Sequence, residues 1–137
     1  MPSLAQHFYK QSLEERDHAL RFIKYLVDAD APVRIPAIPA PKSTFKDAAE
    51  AVSLALQSEI KVTRQIGVIV DLALKERDHS SKNMLEWFVN EQREEMSSMD
   101  TLLRMVKRAG ESGMFFVDNF LLQGGLSGAP AAESTAN

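Results

Sequence analysis

A chain of 137 residues with 45% hydrophobic content suits one packed domain and leaves no room for a second core. A net charge of −3 supplies no basic stripe for nucleic acid, and the absence of cysteine removes disulfides, thiolate nucleophiles, cysteine-held zinc and iron–sulfur clusters together. Met1-Pro2-Ser3 is not a basic segment leading an apolar run, and no apolar stretch approaches the roughly 18 residues that span a bilayer. The expectation is a cytoplasmic protein with neither nucleic-acid nor membrane partners.

The first helical pattern opens at Ser3-Leu4-Ala5-Gln6, which reads as a capping box with Ser3 as N-cap. Leu4, Phe8, Ser12, Ala19, Phe22 and Leu26 then recur in steps of three or four, with Glu15 filling the gap, and the helix should end near Asp28 to Asp30, before Pro32. Residues 31–43 hold Pro32, Pro36, Pro39 and Pro41, a density no regular element survives. An extended crossover is expected, since a tight helical hairpin would use only about 2–8 residues.

Thr44 or Ser43 can cap a second helix, with Asp47 in its first turn and a stripe of Val52, Leu56, Thr63, Ile66, Val70 and Ala73. Arg77-Asp78-His79-Ser80 breaks the pattern. A third helix starts around Ser81, carries Leu85, Phe88, Met99, Leu102 and Val106, and stops at Gly110 after Lys107-Arg108. Met114 to Gln123 reads as a short apolar fourth helix. The Gly, Ser, Ala and Pro that dominate residues 124–137 predict a disordered tail, so the domain is placed at 1–123. A docking role for that tail is the less favoured of its two readings. The fold class is all-α, with no strand signal and no internal repeat.

What interrupts the stripes carries the chemistry. Glu15 has His18 three residues on, on the same helix face; Glu59 sits between Leu56 and Thr63; Glu91, Gln92 and Glu95 lie between Phe88 and Met99. Each long helix is therefore expected to turn a carboxylate inward near its middle. Burying one without a partner costs several kcal/mol, and three would rival a domain's whole net stability of about 5–15 kcal/mol. No Lys or Arg occupies the neighbouring inward positions, so divalent metal ions are the economical counter-charge. Carboxylates with one imidazole suit iron or manganese better than zinc, and Glu-x-x-His on one helix with Glu on others is the grammar of a di-iron carboxylate bundle. A second such pair, Glu76 with His79, falls among polar residues at a helix end and reads as a surface cap. His7 reads as a surface or packing residue. Met96, Met99 and Met105 read as core.

His7-Phe8-Tyr9 through Glu14-Glu15-Arg16-Asp17-His18-Ala19 resembles helix B of bacterial non-haem ferritins. Gln57-Ser58-Glu59 with Val62-Thr63 is similar to their helix C, and Glu86-Trp87-Phe88-Val89-Asn90-Glu91-Gln92-Arg93-Glu94-Glu95 to their helix D. The likeness runs from about residue 3 to 123 and implies a ferritin-like bundle of three long helices (B, C, D) and a short C-terminal helix E. It further implies Glu15 bridging two irons with His18 on the first, and Glu59 and Glu95 on the second. Glu14, Glu91 and Glu94, with Glu95, would form a third iron site, with Gln92 beside the centre. The implied reaction is oxidation of iron(II) by dioxygen or peroxide, with ferric product stored in a homo-oligomeric cage of twenty-four subunits. Arg16 stands where haem-binding relatives place a Met, so haem is not expected.

The family's helix A, with its Glu ligand and Tyr, has no counterpart ahead of Ser3. A long bundle helix buries about five to eight large side chains at roughly 1.5–3 kcal/mol each. Without it the stripes would face water, and ferroxidase activity is expected to be impaired. Either the true start lies upstream, or the chain covers the groove by self-association or by co-assembly with a full-length ferritin, or it is a fragment; an upstream start is preferred. The competing function is a non-catalytic ferritin-like subunit that docks a partner helix. A rubrerythrin-like peroxidase would need cysteine pairs that are missing, and no glycine-rich loop supports phosphoryl transfer.

Overall fold

The computed structural model describes residues 1–126, and the expected tail falls outside them from residue 127 onward. Four helices follow one another: α1 (Pro2–Asp28), α2 (Ala48–Lys75), α3 (His79–Ala109) and α4 (Met114–Leu122). There is no strand among the described residues. No helix among them is long and apolar enough to cross a membrane.

The buried positions of α2 are Val52, Glu59, Ile66 and Ala73, each seven residues after the last. Those of α3 run Leu85, Phe88, Gln92, Glu95, Met99, Leu102, Val106 in alternating steps of three and four, with Leu103 added. Both patterns are those of helices meshing along a seam, and α2 and α3 form an antiparallel hairpin joined by Glu76-Arg77-Asp78. Its turn is a Schellman closure: Asp78 N–H reaches Ala73 carbonyl and Arg77 N–H reaches Leu74 carbonyl. The residue that takes the left-handed position is Arg77, at φ +57°. Residues 31–45 carry no hydrogen-bonded element, as the prolines predict, and leave Ile35 and Ile38 exposed.

Leu4, Val52, Met99, Leu102, Leu103, Val106 and Val117 form the core cluster. It lies where the starts of α1 and α2 meet the end of α3 and the buried face of α4. A second apolar layer, around Leu85, Phe88 and Phe22, lies toward the start of α3. The polar slots Glu59, Gln92 and Glu95 fall between the two layers.

Three expectations are corrected. Ser3 is not an N-cap: α1 begins at Pro2, and no local side chain caps it. Its free N–H groups are satisfied from the far end of the chain, where the Asp118 carboxylate accepts from Ser3 N–H (3.0 Å), Leu4 N–H (3.1 Å) and the Ser3 hydroxyl (3.3 Å). At α2 the cap is Asp47, not Thr44 or Ser43; its carboxylate accepts from Glu50 N–H at 2.7 Å. The start of α3 lies two residues before Ser81, with Asp78 as cap. Gly110 ends α3 as expected, at φ +58°.

Candidate metal centre

The hairpin supplies the buried half of the site. Glu59 is 7% exposed, Gln92 3% and Glu95 8%. All three occupy seam positions that would ordinarily hold Leu or Ile, so helical register alone forces them inward. The Gln92 amide nitrogen donates to Glu59 Oε2 at 3.0 Å and contacts Thr63 Oγ1 at 3.3 Å and the Glu59 carbonyl at 3.4 Å. None of the ion pairs among the described residues involves Glu59 or Glu95.

The other half comes from α1, which is much less enclosed. Its only buried residue is Leu4, and the expected stripe positions Ser12 and Ala19 are exposed. The Glu15 side chain is 48% exposed, so the expectation of a fully inward carboxylate on every long helix holds for α2 and α3 and only halfway for α1. His18 is held firmly: its ring meets Trp87 edge-on at 5.3 Å and Phe88 at 6.1 Å. Phe22 stacks on Phe88 at 4.2 Å, and the Arg21 guanidinium lies 3.9 Å over the Trp87 ring. Tyr25 completes the α1–α3 contact through the Ser81 hydroxyl at 2.9 Å. His18 Nδ1 stands 3.6 Å from Glu15 Oε2, so this pair faces one place.

Like charge gathers here. Burial first, then the negative charges of Glu59 and Glu14, push the Glu95 carboxyl up from 4.5 to about 7; contact with Gln11 opposes the rise. Burial and then Glu59 raise Glu15 as well, against the opposing pull of His18. Carboxylates of α1, α2 and α3 therefore feel one another's charge. On the neighbouring side, Glu14, Glu91, Glu94 and Glu95 line a cleft of about 190 Å³ with Gln11 and Ser98, and Leu126 closes one edge. Glu14 and Glu94 are exposed and Glu91 is half-buried. All eight residues singled out from the sequence therefore fall in one region, in two adjoining groups.

Among the described residues no three acidic or histidine side chains stand close enough together to coordinate an ion as they are. Carboxylates that share a region without a counter-ion repel, and the exposed Glu14, Glu15 and Glu94 are free to turn toward water. The donor set itself, hard carboxylate oxygens with a single imidazole, fits iron. Two contacts went unread in the residue pattern, Thr63 to Gln92 and Arg21 over Trp87; helical spacing from Glu59 and from His18 could have placed both.

The remaining candidates take the bland roles expected. Glu76 and His79 are exposed at the α2–α3 turn. Met99 is buried, and Met96 and Met105 are partly so. His7 packs its ring against Phe8 at 5.6 Å, with Nε2 buried and unpartnered, and burial lowers its pKa.

A family model described as a ferritin-like domain matches residues 1–109. The chain is 42% identical over 121 residues to Ferritin BfrB of Mycolicibacterium smegmatis, covering 88% of this chain and 66% of that protein. It is 39% identical over 132 residues to Ferritin BfrB of Mycobacterium tuberculosis, covering 96% and 72%. Among solved structures, an open pore ferritin from the archaeon Archaeoglobus fulgidus superposes with a TM-score of 0.76 at 28% identity, over 80% of this chain and 68% of that one. The chain thus spans about two thirds of the length of these relatives.

Proposed function

Because the chain belongs to the ferritin-like domain family, we propose that it binds iron(II) as substrate among Glu15, His18, Glu59 and Glu95, oxidises it, and stores the ferric product. The carrying observation is the uncompensated acid layer. Glu59 and Glu95 are buried on facing helices with no cationic partner among the described residues, and Glu15 and His18 approach from a third. Burial of charge at this density is costly unless a cation arrives.

In this reading His18 and Glu15 hold one iron, with Glu15 reaching to a second that Glu59 and Glu95 bind. Gln92 keeps the Glu59 carboxylate in place by donating to it. Glu14, Glu91 and Glu94 offer a third, more exposed iron position beside Glu95. Hard anionic oxygens stabilise iron(III) over iron(II), which favours electron loss to dioxygen or peroxide. No haem is needed for this chemistry. Storage requires self-assembly, for which the exposed Ile35, Ile38, Phe115, Phe116 and Leu122 supply apolar surface.

Anaerobic iron(II) titration should show about two or three sites per chain, followed by an ultraviolet band that grows only when oxygen is admitted. A chain without saturable iron binding removes the proposal. Particle size separates it from a docking subunit: a hollow cage supports storage, whereas a small oligomer with inert iron supports docking.

A further inference from the structure

We propose that Thr63 is a positioning residue for the Glu59 carboxylate, acting through the Gln92 amide. The inference rests on the iron-binding reading and adds to it a residue outside the ligand set.

A primary amide carries two N–H donors and one carbonyl acceptor. Glu59 and Thr63 lie one helical turn apart on α2, so both present acceptors to the same point on α3. The Gln92 nitrogen sits at that point, 3.0 Å from Glu59 Oε2 and 3.3 Å from Thr63 Oγ1. One N–H can thus serve the carboxylate and the other the hydroxyl; the carboxylate, which only accepts, fixes which way the amide faces, and the hydroxyl holds the nitrogen there. The reverse orientation would set the amide oxygen against a carboxylate oxygen, two acceptors with no proton between them.

Without the hydroxyl, the second N–H has as its nearest remaining acceptor the Glu59 carbonyl at 3.4 Å. That oxygen already serves the helical bond one turn on. Gln92 is 3% exposed, so an unpartnered N–H there is costly. The amide would turn toward the carbonyl and draw away from Oε2, releasing the carboxylate from its fixed rotamer. Thr63 is exposed as a residue, while its hydroxyl meets the buried amide. Valine keeps its shape and removes the acceptor, while serine keeps the acceptor and removes the methyl group.

The test compares Thr63→Val and Thr63→Ser in the full chain by anaerobic iron(II) titration and by crystal structures of the metal-free proteins. Thr63→Val is expected to weaken the tightest iron site about five-fold, the equivalent of one lost hydrogen bond, while Thr63→Ser stays close to the parent chain. In the metal-free structures the Gln92–Glu59 contact should persist in Thr63→Ser and open beyond about 3.5 Å in Thr63→Val. Equal iron affinity in the two variants, or an unmoved Gln92 amide in Thr63→Val, overturns the inference. Failure of the parent chain to bind iron at all overturns the functional reading instead, and the metal-free structures still decide whether Thr63 positions the amide.

Discussion

Glu95 keeps its proton to about pH 7 in the folded, iron-free chain, whereas an unfolded carboxyl releases it near 4.5. Below the lower value both states are protonated and no difference exists. Between the two the unfolded chain is ionised while the folded one still binds a proton, so stability falls as pH rises, and the full penalty is present above 7. At 1.36 kcal/mol per unit the shift corresponds to about 3 kcal/mol, and solvent screening along the open side of the cleft lowers this to about 1–2 kcal/mol. Glu95→Gln keeps the shape and cannot ionise. It should therefore stabilise the iron-free protein at pH 8 by about 1–2 kcal/mol relative to its effect at pH 4.5. Urea unfolding of both chains at the two pH values measures this directly. A substitution effect that does not change with pH would refute the claim that Glu95 is buried among like charges.

Two further substitutions test how the helices are fastened. Asp118→Ala removes the acceptor for two N–H groups at the start of α1 and should cost about 1–2 kcal/mol in thermal or chemical unfolding; Asp118→Asn, which keeps an acceptor oxygen, should lose less. Arg77→Gly should raise stability by about 0.5–1 kcal/mol, because the relief of left-handed strain, about 1–2 kcal/mol, exceeds glycine's extra entropy cost. A lowered melting temperature for Arg77→Gly would show that the arginine side chain makes a compensating contact.

Much of this arrangement was legible in the residue spacing. Prolines at 32, 36, 39 and 41 and Gly110 divide the chain where the structure does, and the polar break read at 77–80 falls within two residues of the 76–78 turn. Glu59, Gln92 and Glu95 could be placed inside because a helix that buries Val52 and Ile66, or Phe88 and Met99, must bury what lies between them at the same spacing. The misses have a common cause, which is that local sequence does not show what stands opposite. Ser3 has the chemistry of a cap, yet the acceptor at that helix start comes from Asp118, 115 residues away. Glu15 falls on the apolar register of α1, but register fixes only a direction, and burial also requires a neighbour. Among the described residues the face around Ser12, Glu15 and Ala19 remains open to solvent.

That difference between α1 and the hairpin leads to a prediction about motion. α3 buries side chains along its whole length, whereas α1 fully buries Leu4 alone and is otherwise held by Phe8 against the core, the Asp118 cap, the His18–Trp87–Phe88–Phe22 contacts and the Tyr25 hydroxyl. Local opening free energy follows buried apolar contact. Amides in the middle of α1, around Gln11 to Asp17, should therefore exchange hydrogen well before those of α2 and α3 in the iron-free protein. If Glu15 and His18 share iron with Glu59 and Glu95, a metal ion ties this loose helix to the hairpin, and binding to the closed form alone stabilises it by mass action, about 2.7 kcal/mol at a hundredfold excess over Kd. Anaerobic iron(II) should then slow exchange in α1 about a hundredfold while leaving the centre of α3 nearly unchanged. Uniform slowing across all helices would indicate a metal that stabilises the fold globally, and no slowing in α1 would detach Glu15 and His18 from the site.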